Sequence, residues 1–378
     1  MRFRALDGWR GICAVLVAAH HLEARGFFYG QPLIRNAWLF VDFFFVLSGF
    51  VIAHAYGEKL RSAQDASAFV MRRFGRLWPL HVAVLVALVV VEITHLLLAN
   101  WQLFAADGSA FAPTRSVLAI FTNLFLVQSL ALHDFETWNG PSWSISTEFF
   151  TYLIFALLCL AVPIRRVRLA LSLALALGGA VLLARYSQFG MRETFHWGIV
   201  RCIYGFFLGT LTYEAWRQGA SRAIAGTLGE GTAIVLVICF VVFAPGHPAL
   251  EYLATPLFCG AVLIFAGDGG WFSHALKIRP VAALGRWSYS IYMVHTLVLV
   301  LLFSALRLGD TVFVQHWLSG GSQARLELGA ANDLVFLAYI GATIGLAALT
   351  WRCIEQPGQR FFATLRGAEP ARLGVQPT

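Results

Sequence analysis

Apolar runs about twenty residues long recur along the whole chain, and they constrain its fold more than any other feature. They fall at about 9–28, 36–56, 77–98, 144–163, 168–186, 198–216, 230–246, 251–268, 288–307 and 332–353. About twenty mostly apolar residues are what one helix needs to cross a bilayer. Composition agrees: the 378 residues are 58% hydrophobic and only 13% charged, against about 25% charged in soluble domains. Too few polar residues remain to cover a soluble surface. The same figures exclude a disordered chain, a collagen-like chain and a disulfide scaffold. A shorter run at 116–132 carries Asn123, Gln128 and Ser129. The fold class expected is all-α: a polytopic integral membrane protein of about ten transmembrane helices, with 116–132 as a re-entrant or interfacial helix.

Net charge is +8, from 28 Lys and Arg against 20 Asp and Glu, with Lys59 and Lys277 the only lysines. The basic residues sit between apolar runs, so membrane topology accounts for them better than nucleic acid does. With the N-terminus in the cytoplasm and 116–132 not crossing, 20 of the 28 basic residues fall in cytoplasmic segments. A crossing at 116–132 would move the last four basic groups outside. Ten spans with both termini cytoplasmic is the expectation. The longest outer loops are then about 99–143 and 308–331. The six cysteines lie mostly inside apolar runs, without CxxC or CxxxH spacing, and read as small core residues. No metal site is expected. The opening MRFRALDGWRG lacks a cleavage site of small residues, and the run after it carries His20 and His21, so it reads as a retained first span.

An ionisable side chain at membrane depth costs at least a few kcal/mol, which makes each one a candidate for function. Arg10 and His21 are eleven residues apart, so a helix returns to within about 20° of the same face and separates them by about 16 Å. Arg10 falls near the cytoplasmic end and His21 in the outer half. Glu148, in SWSISTEFF, is expected at a depth similar to His21 and able to orient its imidazole, as a general base requires. Asp42, in VDFFFVLSGF, lies in an outer half-span too, with Ser48 of the same run as a supporting candidate. Ser288, Tyr292 and His295 share a face of GRWSYSIYMVH, as helix-packing glue or as the lining of a site. Arg72, Arg73 and Arg76, in FVMRRFGRLWPLH, share faces at the cytoplasmic surface. Their guanidinium forks suit phosphates or anionic lipid heads. Glu92, His95, His54, His81, Arg201 and Glu214 are further near-membrane polar residues that sequence cannot sort between site and packing.

Absences narrow the chemistry. There is no Walker loop, no GxGxxG entering a helix after a strand, no HExxH and no chain of acids along several spans. On physics alone the intramembrane His, Arg and Glu suit a transporter of a glycan or small solute as well as an enzyme.

Six blocks in order decide for the enzyme. LDGWRGICAVLVAAHH, FFFVLSGFVI, RRFGRLWP, SWSISTEFF, LGRWSYSIYMVH and CIEQP resemble successive blocks of the integral-membrane acyltransferase-3 family, the bacterial O-acyltransferases of surface polysaccharides and some secondary metabolites. The resemblance covers about residues 5–360, taken as one transmembrane domain (1–360) with a short cytoplasmic tail (361–378). It implies an acyl-CoA donor, by default acetyl-CoA, and a hydroxyl acceptor on a carbohydrate or related molecule. It also implies a bacterial inner-membrane location, with no nucleic acid as partner. His21 matches the essential histidine, Arg10 its arginine partner, Glu148 the acidic residue of the fourth span, and Arg73 with Arg76 a cytoplasmic RxxR motif linked to the donor. Thr147 and Phe149 flank the glutamate where many members carry Val and a second polar residue. Some members carry a fused hydrolase-like domain; this chain is expected to transfer without one.

Overall fold

The structure is a computed structural model that describes residues 2–24, 26–100, 111–309, 324–326 and 331–364. Most of the expected outer loop 308–331 and residues 365–378 of the expected tail lie outside the described residues. Helices dominate: α1 (Arg4–His20), α2 (Phe40–Tyr56), α3 (Ala63–Asn100), α4 (Val117–Leu124), α5 (Trp143–Ala161), α6 (Arg165–Tyr186), α7 (Gly198–Arg217), α8 (Thr227–Phe243), α9 (Ala254–Phe265), α10 (Arg279–Gly309), α11 (Asn332–Thr350) and α12 (Gln356–Thr364). Each of the ten expected apolar runs overlaps a helix, the first of them, 9–28, meeting α1 only as far as His20. Seven helical stretches are long and apolar enough to cross a membrane: Ala37–Tyr56, Ala63–Ala99, Gly140–Ala161, Arg165–Tyr186, Pro248–Phe265, Arg279–Leu306 and Asn332–Thr364. Outside the seven, α1 and α8 are 17 residues long, and α7 carries Arg201, Glu214 and Arg217.

Two features depart from expectation. A pair of short parallel strands, β1 (Leu22–Ala24) and β2 (Ala324–Leu326), joins the end of α1 to the segment before α11. The helix in 116–132 is only α4, eight residues, or about 12 Å, too short to cross. Its Ala119 and Asn123 are buried, while Val117, Leu118 and Phe121 are exposed. A π-helical turn at Trp351–Glu355 leads into α12, which ends at Thr364.

Relative helix directions follow from who touches whom. Phe69 packs on Phe155 and Phe74 on Phe149, so α3 and α5 are antiparallel, and the chain between them makes no net crossing. Arg10 bonds Ser288 and His21 stacks near His295, so α1 and α10 run parallel. Asp42 meets Arg201 at one end of the α2–α7 contact and His54 meets Trp216 at the other, which makes that pair parallel too.

Without water, helices in a bilayer associate through close van der Waals packing, which small residues permit. A Cβ on Gly11 would stand 2.5 Å from the Gly285 nitrogen, so α1 and α10 touch backbone to backbone. On the α2–α7 side, a Cβ on Gly49 or Gly209 would overlap the Phe206 or Val46 carbonyl. The same interface holds the most buried ion pair. Both carboxylate oxygens of Asp42 accept from Arg201, at 2.9 and 2.8 Å, and the two side chains are 0% and 2% exposed. The guanidinium also lies over Trp143 and Trp38, at 5.3 and 5.6 Å. Asp42, expected as a supporting site residue beside the histidine, is instead fully engaged in tying α2 to α7. Its partner is 159 residues away in sequence, a pairing that spacing cannot reveal.

Two outcomes follow. Gly209→Leu should cost about 1–3 kcal/mol by overpacking and lower the melting temperature of the purified protein, whereas Gly178→Leu, whose Cβ meets nothing within 4 Å, should not; equal melting temperatures would contradict the close contact. Asp42→Leu leaves Arg201 buried without a counter-charge and should destabilise by about 3–5 kcal/mol, with Asp42→Leu/Arg201→Leu recovering much of it. A turnover defect at unchanged melting temperature would return Asp42 to the site.

Candidate functional site

The site is strung along the α1–α10 pair. Arg10 is positioned by three contacts: Nε donates to Ser288 Oγ (2.8 Å), one terminal nitrogen donates to the Gly285 carbonyl (2.9 Å), and that nitrogen also lies 3.3 Å from Asp7. The helix pair can bring the guanidinium this close because Gly11 and Gly285 remove side chains from the seam.

His21 stands at the other end, as the C-cap of α1. The local chain explains its orientation. Its backbone N–H turns back to the Ala18 carbonyl, at 3.2 Å, instead of continuing the i→i−4 ladder. That frees the Val17 carbonyl, and His21 Nδ1 takes it at 2.8 Å. A carbonyl only accepts, so Nδ1 carries the proton and Nε2 presents a lone pair. Tyr339 of α11 donates to the Ala18 carbonyl at 2.9 Å, satisfying another carbonyl of this helix end. The His295 ring lies 4.7 Å away and the His20 ring 5.3 Å away. Arg10 and His21 thus both face α10, at opposite ends of one helix.

Glu148 is not beside His21. Its Oε1 accepts from Tyr152 Oη at 2.6 Å, and that hydroxyl lies 2.9 Å from Ser48 Oγ. The cause is where α5 starts. The segment 125–142 dips into the bundle, so Ser144 Oγ, one residue into α5, is already level with Tyr292, 2.9 Å from its hydroxyl. One further turn inward brings Glu148 to the level of Ser288 and Arg10, about 6 Å deeper than Ser144. The expected depth match with His21 therefore fails, and the Val17 carbonyl takes the orienting role expected of a carboxylate.

Glu148 belongs to an inner cluster. Arg76, on the first half of the long α3, lies in the field of Glu355, Tyr152 and Glu148, and Arg10 in that of Asp7, Arg76 and Glu355. Glu355 is buried, accepts from Ser290 Oγ at 2.7 Å and from Gln359 at 3.0 Å, and was not among the sequence candidates; the CIEQP block was the available signal. Arg73 lies over the Tyr56 ring at 5.5 Å, and its Nε is buried without a hydrogen-bond partner among the described residues. Arg72 bonds back to the Ala68 carbonyl of its own helix at 3.1 Å and stands apart from Arg73 and Arg76. Arg10, Arg73 and Arg76 stand among the carboxylates of Asp7, Glu148 and Glu355, and the guanidinium forks suit phosphate oxygens.

The Ser288, Tyr292 and His295 face interlocks and lines at once: Ser288 takes Arg10, Tyr292 Oη donates to the Pro141 carbonyl at 3.0 Å, and His295 meets His21. The polar residues that sequence could not sort are engaged in packing. Glu92 bonds Arg115 at 2.6 Å, His95 bonds Ser304 at 2.8 Å and His81 bonds the Asn123 carbonyl at 2.9 Å. Glu214 pairs with Arg165, and His54 sits among Phe3, Tyr213 and Trp216. In the dipping segment, burial pushes the Glu136 carboxyl above the usual carboxylate range, with the Thr194 hydroxyl pulling it back. Among the described residues no group of three or more His, Cys, Asp or Glu could hold a metal ion.

Known proteins resemble the chain over nearly all its length. It is 28% identical to acyltransferase MdmB of Streptomyces mycarofaciens, across 97% of this chain and 94% of that protein. It is 26% identical to the putative membrane-bound transacylase BcsY of Komagataeibacter xylinus, across 78% and 72%. It is 26% identical to the peptidoglycan O-acetyltransferase OatA of Listeria monocytogenes, across 93% of this chain and 55% of that protein. No solved structure matches. The acyltransferase-3 family model, described as an acyltransferase domain, matches residues 3–352, and the chain belongs to that family of membrane acyltransferases.

Proposed function

We propose that this acyltransferase moves an acyl group, by default acetyl, from cytoplasmic acyl-CoA to a hydroxyl of a carbohydrate or related cell-envelope or exported acceptor. It does so from ten spans in the bacterial inner membrane, with both termini cytoplasmic. The observation that carries the reading is the placement of Arg10 and His21 at opposite ends of one helix face, the histidine with its Nδ1–H held by the Val17 carbonyl and its lone pair therefore on Nε2.

Each residue then has a task. Arg73, Arg76 and Arg10 hold the phosphates of the donor at the cytoplasmic end. The roughly 16 Å from Arg10 to His21 is a distance that the extended pantetheine arm can cover, bringing the thioester to the outer half. His21 Nε2 takes the proton of the acceptor hydroxyl as its oxygen attacks the thioester carbonyl. The C–S bond breaks, and the proton passes from Nε2 to the leaving sulfur. The carbonyl end of α1 faces the imidazolium formed in between and stabilises its charge. Glu148, with Tyr152 and Ser48, positions Arg73 and Arg76 rather than the histidine. The relatives named acyltransferase and O-acetyltransferase support the reaction class, and the peptidoglycan O-acetyltransferase supports a glycan hydroxyl as acceptor.

The test is transfer of radiolabelled acetyl from acetyl-CoA onto glycans in membranes containing the protein. His21→Ala should lower the rate by about 10²–10⁴-fold, the size of a lost general base, and a wild-type rate would remove the assignment. Arg73→Ala and Arg76→Ala should raise the KM for acetyl-CoA with a smaller effect on kcat. Mass spectrometry of surface glycans and metabolites from strains with and without the gene should name the acceptor by its missing acetyl groups.

A further inference from the structure

The segment that dips into the bundle before α5 leaves three hydrogen-bond acceptors buried and unused beside the histidines. Asn139 is 2% exposed. Its Nδ2 donates to the Met293 carbonyl at 3.1 Å, which fixes the amide, and its Oδ1 has no partner among the described residues. Gln128 is 3% exposed. Its Nε2 donates to the Ser142 carbonyl at 3.2 Å, and its Oε1 is likewise bare. His295 is 0% exposed. Its Nδ1 lies 3.3 Å from the Ile291 carbonyl and so carries the proton, and its Nε2 lone pair is bare.

These atoms belong to one connected patch. The Ser142 N–H donates to the Asn139 carbonyl at 2.9 Å, so Gln128 and Asn139 are held to the same turn. Asn139 is bonded to α10 at Met293, two residues before His295, and the His295 ring lies 4.7 Å from that of His21. The backbone holding the patch is strained. Leu126, Ala131 and Trp138 adopt positive φ, at 59°, 58° and 45°, which costs about 1–3 kcal/mol for each and persists where the surroundings over-determine it.

A buried acceptor without a donor costs about 1–3 kcal/mol, and native interiors rarely leave one so. Here there are three, and each lacks the same thing, an O–H or N–H. A phosphate or a thioester carbonyl supplies no such proton; a molecule with several hydroxyls does, and so would the amide N–H groups of a pantetheine arm, which the separate KM values for the two substrates distinguish.

We propose that Asn139 Oδ1, Gln128 Oε1 and His295 Nε2 form the subsite for the acyl acceptor, binding neighbouring hydroxyls of a polyhydroxylated molecule so that one of them is presented to His21. The proposal rests on the acyltransfer reading above and adds to it where the acceptor sits. These are binding and positioning residues; His21 alone takes the proton.

The test uses the full-length protein in nanodiscs, radiolabelled acetyl-CoA, and as acceptor the host's surface-glycan extract freed of O-acetyl groups by mild alkali. Asn139→Leu and Gln128→Leu should each raise the apparent KM for the extract about tenfold, the size of one lost hydrogen bond, with the KM for acetyl-CoA unchanged. An unchanged KM for the extract in the leucine variants overturns the subsite, as does a KM for acetyl-CoA that rises in parallel with that for the extract, which would make Asn139 and Gln128 structural tethers only. A wild-type protein that transfers no acetyl to the extract overturns the acyltransfer reading and the subsite together.

Discussion

The parallel seam between α1 and α10 is the contact on which the candidate site depends. Glycines at positions 11 and 285 let the two backbones touch, and everything chemical is measured along that seam. Arg10 reaches Ser288 and Gly285 because nothing larger than hydrogen stands between the helices at that level. His21 reaches His295 because two parallel helices rise at the same 1.5 Å per residue and stay in step over the ten residues from the Gly11–Gly285 contact to the His21–His295 contact. An antiparallel pair would place the arginine of one helix against the outer end of the other.

The second constraint is the membrane's intolerance of unpaired polarity. The chain meets it through pairings distant in sequence. Asp42 with Arg201 fixes α2 to α7, and Arg165 with Glu214 fixes α6 to α7. These pairs account for the buried charges between the helices they join. The same constraint shapes the end of α1, where a carbonyl left over by the last turn becomes the acceptor that fixes the His21 tautomer. A carboxylate in that role would need its own desolvation repaid, whereas the helix terminus carries its spare acceptors already.

Much of this was legible in the sequence. The apolar runs fell on helices, and the angular arithmetic that put Arg10 and His21 on one face needed only 3.6 residues per turn. What sequence could not supply was depth and partnership. Glu148 was expected beside His21 because its span was taken to begin at the membrane surface. The segment 125–142 instead carries the start of α5 into the bundle, held by Asn139 on Met293 and Gln128 on Ser142, contacts between residues 154 and 14 positions apart. Asp42 was expected near the histidine for the same reason, and its partner lay far along the chain. The run at 116–132 offered polar residues as a sign that it would not span, but not that only eight of them would be helical.

The two ends of the seam differ in kind, and the difference argues for direction. At the Arg10 end the spare atom is a donor: three guanidiniums, one with a buried nitrogen still bare, stand among the carboxylates of Asp7, Glu148 and Glu355. At the His21 end the surplus is of acceptors: two amide oxygens and an imidazole nitrogen. A ligand rich in phosphate oxygens is stabilised only at the first end, and a ligand rich in hydroxyls only at the second. A site that bound one solute and passed it through would need the same complement along its length. A seam whose ends suit opposite partners fits the proposed transfer between two molecules better than the passage of one.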